Sequence, residues 1–183
     1  MAKLIQDVGS LTGKALAFSH IDSWEIGSQT WMEKFREEFR KRRGYDMTPW
    51  LPVMAGGRVV ASRDQSDRFL WDLRRTYGDL IAENYLGRMG DLCHENGIGF
   101  EVEASGRQQY MYDPIVFQKY GDLPMGEFWV SGGPRVDCKV AASTAHIYGM
   151  PVVCAEAFTC VYSKHEGGDR AYSAGRDAWQ NEP

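Results

Sequence analysis

The chain has 183 residues, of which 43% are hydrophobic and 25% are charged. This balance fits one globular domain with a packed core and argues against wholesale disorder. The net charge of −4 offers no basic surface for nucleic acid. No apolar run approaches the roughly 18 residues of a membrane span, and the first seven residues lack the apolar segment of a signal peptide.

Strand-like and helix-like segments alternate along the chain. Helical periodicity is clearest where Trp31, Phe35 and Phe39 share one face. Pro49 and Pro52 favour a loop over the stretch that follows this helix. The predicted strands cover residues 16–22, 98–104, 123–130 and 151–158. The predicted helices cover residues 30–43, 66–95, 113–120 and 135–148, and the predicted loop covers residues 45–57.

Strands that alternate with helices predict parallel βαβ units and an α/β fold. Four such units amount to half of an eight-stranded (β/α)8 barrel, so we expect residues 1–159 to form a partial barrel. Because half a barrel leaves two strand edges unpaired, the remainder of the barrel is expected elsewhere in the parent protein. A doubly wound open sheet is the alternative, but no glycine-rich phosphate loop follows any predicted strand. Residues 160–183 have little apolar periodicity and are predicted to be a divergent, disordered tail.

Acidic residues recur at the carboxyl ends of the predicted strands. Active sites of barrel enzymes are assembled at that rim, and glycoside hydrolysis needs two carboxyl groups there. Any single acid could instead pair with a basic side chain or cap a helix. The acidic residues at the four ends are Asp22 and Glu25, Glu101 and Glu103, Glu127, and Glu156.

Several ordered motifs carry a family resemblance that covers about residues 13–160. His20-Ile21-Asp22-Ser23-Trp24-Glu25 resembles the HxDSWE signature of glycoside hydrolase family 106, the α-L-rhamnosidases. The segments that continue the resemblance are residues 39–46, 49–52, 68–74, 83–85, 124–129, 141–149 and 155–159. The resemblance implies a barrel fold, an inverting mechanism that uses two carboxyl groups, and calcium as the cofactor.

The resemblance also implies roles for individual residues. Glu25 is expected to be the general acid and Glu156 the general base. Glu103 and Glu127 are the candidate calcium ligands, since this hard cation binds carboxylate oxygen. The candidate substrate-binding residues are His20, Asp22, Trp24, Glu101 and Trp129. Glu101 could instead hold Glu103 in place. His20 could be a hydrogen-bonded histidine near the core, and Trp129 could fill the mouth of the barrel.

The expected partner is a rhamnose-containing oligosaccharide or polysaccharide, hydrolysed at a terminal α-L-rhamnosyl linkage. Relatives are commonly exported by glycan-degrading bacteria, so a periplasmic or extracellular location is expected for the parent protein. Two alternatives remain. One is another barrel glycosidase with a different sugar specificity, and the other is a non-catalytic carbohydrate-binding module.

Overall fold

Four parallel strands form one sheet in the order β1-β2-β3-β4. The computed structural model describes residues 1–24, 31–104, 112–129 and 137–159. Glu25 and the predicted tail therefore lie outside the described residues. The strands are β1 (Phe18–Ile21), β2 (Gly99–Glu103), β3 (Leu123–Trp129) and β4 (Cys154–Thr159).

Helices fill the connections between successive strands. The α-helices are α1 (Ala2–Val8), α2 (Phe35–Arg43), α3 (Leu51–Met54), α4 (Arg63–Ile81), α5 (Arg88–Glu95), α6 (Pro114–Gln118) and α7 (Asp137–Tyr148). Two 3₁₀ turns cover Gly9–Leu11 and Thr48–Trp50. None of the described helices is long and apolar enough to cross a membrane. The alternation of strands and helices confirms the predicted partial barrel of four parallel strands.

The two faces of the sheet have opposite characters because side chains alternate along a strand. Phe100 and Val102 are fully buried in an apolar cluster with the helices. Glu101 and Glu103 point to the other face, which corresponds to the inside of a barrel. On β3, Gly126 lies on the helix face, where an added Cβ would be only 2.6 Å from the backbone nitrogen of Cys138. The lack of a side chain there lets α7 lie close against the strand.

A nearly continuous helix connects the sheet to a second apolar cluster. It runs through α4, a π-helical turn at Ala82–Gly87, and α5. Leu86 packs with the strands, whereas Phe69 and Tyr77 pack with Phe35 and Phe39 of α2. The helical layer formed by α2, α3 and α4 therefore has its own core beside the sheet.

The predicted loop over residues 45–57 is partly wrong, because this stretch contains the 3₁₀ turn and α3. Pro49 and Pro52 each occupy the first turn of a helical segment. Proline is tolerated there, since the first helical N–H groups have no partner within the helix. The prolines thus begin short helices in this chain.

Strand β4 begins later than predicted and contains an irregularity. Pro151 and the two valines after it precede the strand, and proline has no N–H to donate to a ladder. At the other end, the register between β3 and β4 shifts at Phe128 and Trp129. Phe158 accommodates the shift with a positive φ of 63°, which is uncommon for a residue other than glycine. The rings of Phe128 and Phe158 meet edge to face, with centroids 5.0 Å apart.

Candidate active site

Strand register brings the predicted acids together at one edge of the sheet. Glu127 is directly opposite Glu156, and Glu103 is opposite Met125, which is two residues before Glu127. Parallel strands align their carboxyl ends, so these side chains converge on the inner face. Oxygens of Glu103, Glu127 and Glu156 all lie within 4.8 Å of one another. The structure thus gathers one acid from each of β2, β3 and β4.

Glu103 is the most enclosed acid of this group. Its side chain is only 3% exposed, and no N–H or hydroxyl group of the described residues donates to either carboxylate oxygen. A buried charge without a donor is strongly destabilising. Burial raises the pKa of Glu103 to about 9, with further contributions from Asp22, Glu156 and Glu127. In the ion-free protein this carboxyl therefore holds a proton at neutral pH.

Asp22 follows β1 and lies next to Glu103. Two ionised carboxylates can only accept hydrogen bonds, so a bond between them requires a proton on one. The pKa of Asp22 is lowered, first by a hydrogen bond from Glu103 and then by the backbone N–H of Ser23. That N–H donates to Asp22 Oδ1 at 2.7 Å. Asp22 is thus the ionised partner and Glu103 the protonated one.

Glu127 is held by one group on its own strand and one on α7. The indole Nε1 of Trp129 donates to Glu127 Oε2 at 2.5 Å. The Cys138 thiol donates to the backbone carbonyl of Glu127, with sulfur and oxygen 3.6 Å apart. Glu127 is 6% exposed, so these contacts fix a buried carboxylate in one orientation. Trp129 here orients an acid.

His20 and Glu101 form a pair deeper in the sheet. They are register partners on β1 and β2, and His20 Nδ1 lies 3.4 Å from Glu101 Oε2. Cys154 on β4 also lies beside Glu101, and burial followed by this contact raises the pKa of its thiol. A ring nitrogen of His20 lies within 4.8 Å of oxygens of Asp22 and Glu103. The His20–Glu101 pair therefore lies beside Asp22 and Glu103.

Two groups of side chains have the spacing of a cation site. One consists of His20, Asp22 and Glu103, and the other of Glu103, Glu127 and Glu156. Glu103 belongs to both groups. The second group offers carboxylate oxygen alone, which suits a hard cation such as calcium. Both Glu103 oxygens are buried and receive no hydrogen bond from an N–H or hydroxyl group of the described residues, which is consistent with a ligand at this position.

Aromatic side chains border the acids. A cavity of about 130 Å³ is lined by Asp22, Trp24, Tyr85 and Glu103, together with Ile21, Ser23, Leu86 and Phe117. The rings of Trp24 and Tyr85 meet edge to face, with centroids 5.6 Å apart. Tyr85 had no predicted role, although it belongs to one of the family-like segments. Its position on the π-helical turn could not be inferred from apolar periodicity.

The structure brings together nearly all of the predicted site residues. The acids of β2, β3 and β4 converge, and the predicted substrate-binding residues surround them. Glu25, the predicted general acid, lies outside the described residues, directly after Trp24. The residues that meet at this edge are His20, Asp22, Trp24, Glu101, Glu103, Glu127, Trp129 and Glu156.

Comparisons with known proteins agree with this arrangement. The profile of glycoside hydrolase family 106, described as alpha-L-rhamnosidase, matches residues 1–167. A Formosa agariphila protein named "Putative beta-glucuronidase" is 39% identical over 180 residues, which is 94% of this chain and 15% of that protein. The solved structure of a rhamnosidase from Novosphingobium sp. PP1Y is 36% identical, with a TM-score of 0.77 over 86% of this chain and 16% of that one.

The chain thus spans about one sixth of the length of these relatives. The family profile nevertheless covers most of its residues, including all four strands and every acid at their ends. The chain belongs to glycoside hydrolase family 106, the α-L-rhamnosidases.

Proposed function

We infer that the protein containing this chain hydrolyses terminal α-L-rhamnosyl linkages of an oligosaccharide or polysaccharide, with inversion at the anomeric carbon and assistance from calcium. The observation that carries this proposal is the convergence of Glu103, Glu127 and Glu156 on the inner edge of the sheet. Family membership and the related rhamnosidase structure support the sugar specificity.

Glu156 is the proposed general base. It is the least buried of the three converging acids, so it is the one best placed to meet a water molecule. An inverting enzyme separates its acid and base by about 6.5–9.5 Å to leave room for that water. The oxygens within the cluster lie within 4.8 Å, which favours an acid from outside it. Glu25, directly after Trp24, is the proposed general acid.

Glu103 and Glu127 are the proposed calcium ligands. Calcium binds oxygens at about 2.3–2.6 Å, so two of its ligands can lie up to ~5 Å apart, and the cluster meets this limit. When bound, calcium would supply positive charge that orients sugar hydroxyls. It would also favour the ionised form of Glu103, because a cation reverses the effect of the neighbouring acids. Trp129 would keep Glu127 oriented for this role.

The remaining polar residues are proposed to bind the rhamnose. Asp22 is ionised and 2.7 Å from a backbone donor, so its free lone pairs can accept from a sugar hydroxyl. Glu101 contacts His20 Nδ1, which leaves the other ring nitrogen available for substrate. Trp24 and Trp129 offer apolar ring surface for the sugar.

The test is hydrolysis of 4-nitrophenyl α-L-rhamnoside by the full-length protein, with the first-formed anomer identified by proton NMR. Release of the β anomer, lost on addition of a chelator and restored by calcium, is expected. Glu156→Gln and Glu25→Gln should each lower kcat by more than about 10²-fold. Glu95→Gln, at an exposed acid on α5, is the control. Release of the α anomer would overturn the inverting mechanism.

A β-glucuronidase is the second candidate function. The observation that favours it is the name of the relative from Formosa agariphila, which is 39% identical to this chain. The same experiment with 4-nitrophenyl β-glucuronide separates the two candidates. Cleavage of the glucuronide with no cleavage of the rhamnoside would replace the first proposal with the second.

A further inference from the structure

A large aromatic cleft adjoins the small cavity beside Asp22. Its volume is about 960 Å³, which is at the upper end of the range for small-molecule sites. Trp24 and Tyr85 line both spaces, so the two are adjacent. The cleft lies between α2 and the second half of α4, beside the carboxyl end of β1. A single terminal sugar beside the acids would leave this cleft empty.

Two aromatic rings in the cleft are left half exposed. Trp31 is 50% exposed and Tyr85 is 41% exposed. Each ring is nevertheless supported on one side: Trp31 packs on Phe35 with centroids 5.7 Å apart, and Tyr85 packs on Trp24. Supported rings with an open face are rigid apolar platforms, and they lose little conformational entropy when a flat ligand covers them.

Charged side chains also line the cleft, where α2 approaches the π-helical turn. Arg42 donates to both carboxylate oxygens of Glu83, at 2.9 and 2.5 Å, and to Glu38 at 3.3 Å. These charges neutralise one another, yet their outer lone pairs and N–H groups can still bond to hydroxyls. A cleft that offers both paired charges and apolar rings suits the edges and faces of sugar units, which are polar and apolar respectively.

The π-helical turn explains why Tyr85 reaches the cleft. Such a turn inserts one extra residue into a helix, and it is frequently found at functional sites. Here it covers Ala82–Gly87, where Glu83 and Tyr85 both contribute to the lining. A regular helix would place the residues before or after the turn about 100° away around the axis.

We propose that the cleft lined by Trp24, Trp31, Tyr85 and the Arg42–Glu83 pair binds the sugar units on the leaving-group side of the scissile bond. This inference rests on the proposed rhamnosidase function and specifies its substrate class. The substrate is a rhamnose-terminated oligosaccharide with several further sugar units, whereas small aryl rhamnosides place a single ring on the leaving-group side and so contact little of the cleft.

The experiment compares two substrate classes with the full-length protein. One is 4-nitrophenyl α-L-rhamnoside, and the other is a panel of synthetic tetrasaccharides with terminal α-L-rhamnose in 1→2, 1→3, 1→4 or 1→6 linkage. The wild type is expected to show at least about tenfold higher kcat/KM for one tetrasaccharide. Trp31→Ala should lower the ratio of tetrasaccharide to aryl kcat/KM about tenfold, mainly through KM, because Trp31 lines the cleft but not the small cavity.

Trp71→Ala is the matched control. Trp71 is also an exposed tryptophan, at 62%, but it lies on another face of α4 and lines a different cavity. This variant should leave the ratio unchanged. If no tetrasaccharide exceeds the aryl substrate, or if Trp31→Ala leaves the ratio intact, the cleft assignment is wrong while the rhamnosidase function stands. If neither substrate is cleaved, the proposed function itself fails, and the cleft assignment fails with it.

The same variant also tests the alternative that the cleft is covered by other parts of the full-length protein. If other parts of the full-length protein fill the cleft, Trp31→Ala should lower the melting temperature by several degrees while the substrate ratio stays the same. That result would overturn the proposal. A lowered ratio with a melting temperature within about one degree of the wild type supports it.

Discussion

Glu103 has an acid on either side, and a ring nitrogen of His20 also lies within 4.8 Å of its carboxyl group. Asp22 lies on the β1 side, and Glu127 and Glu156 lie on the β3 and β4 side. Protonation resolves the repulsion in the ion-free protein, since it turns one acceptor into a donor. A calcium ion would resolve it in the opposite way, by stabilising the ionised form. The protonation state of Glu103 would therefore depend on whether a calcium ion is bound.

Glu103→Gln is expected to stabilise the calcium-free protein. The pKa of Glu103 rises from an ordinary value near 4.5 to about 9 on folding. Its contribution is therefore fully favourable below pH ~4.5 and is lost progressively as the pH rises towards 9. Glutamine carries no charge to bury, and its amide can donate to the neighbouring carboxylates. The gain should be about 1–3 kcal/mol at pH 8.

Thermal unfolding in the presence of a chelator, from pH 5 to pH 9, measures this effect. The difference between Glu103→Gln and the wild type should grow with pH. Glu95→Gln serves as the control, because Glu95 is exposed and pairs with Arg88. A difference that does not change with pH would show that Glu103 is already ionised in the folded protein.

At this scale, the sequence predicted which residues meet but not how they interact. The acids were placed at strand ends by strand position alone, and the structure brings Glu103, Glu127 and Glu156 together. The pairing of Asp22 with Glu103, and of His20 with Glu101, depends on the register between β1 and β2. A local sequence pattern does not determine the pairing register of two strands, because the register is set by packing across the sheet.

Among the elements, the contact of β3 with α7 positions Glu127. Gly126 precedes Glu127 and lies against the first turn of the helix, where the Cys138 thiol reaches the carbonyl of Glu127. The close approach of α7 at Gly126 therefore also allows the hydrogen bond from Cys138 that holds the backbone of β3 at Glu127. The position of the Glu127 side chain depends on this approach and on this hydrogen bond.

Gly126→Ala is expected to destabilise the protein by about 1–3 kcal/mol, the usual effect of overpacking. The new methyl group would lie 2.6–2.7 Å from backbone atoms of Asp137 and Cys138, so α7 must move away. Thermal or urea unfolding measures the loss. Ala155→Ser, at the exposed register partner on β4, should change stability little. Equal stability of Gly126→Ala and the wild type would mean that α7 is less closely packed than described.

Element positions were predicted well where apolar periodicity was strong and poorly where backbone geometry decided. The helix after β1 ends at Arg43, as the sequence predicted, and Gly44 follows with a φ of 83°. The helical turns around Pro49 and Pro52 were missed, since proline both ends and begins helices. The π-helical turn was missed because it requires the packing of Leu86 against the strands and of Tyr85 against Trp24.

For the molecule as a whole, the open sides of the sheet are the dominant feature. Within the described residues, β1 and β4 each pair on one side only. Phe128 and Phe158 are partly exposed beside β4, at 38% and 61%. Unpaired strand edges with exposed apolar groups favour association with other strands. In a longer relative, further strands of a closed barrel would cover them.

Residues 1–159 expressed alone are therefore expected to self-associate, whereas the full-length protein should not do so through these edges. Size-exclusion chromatography with light scattering at several concentrations measures the difference. Phe158→Lys, which places a charge beside the β4 edge, should reduce the association. A monomeric segment that retains its helical circular dichroism would contradict this expectation.

The separate core of the helical layer has a consequence for how such enzymes diversify. Phe35, Phe39 and Phe69 belong to a core cluster of α2, α3 and α4 that includes none of the strand residues. Lineages can therefore exchange side chains in this layer while the reaction chemistry is preserved under selection. If the proposed function holds, new glycan preferences can then evolve by substitution in α2 and α4 while the acids at the sheet edge are kept.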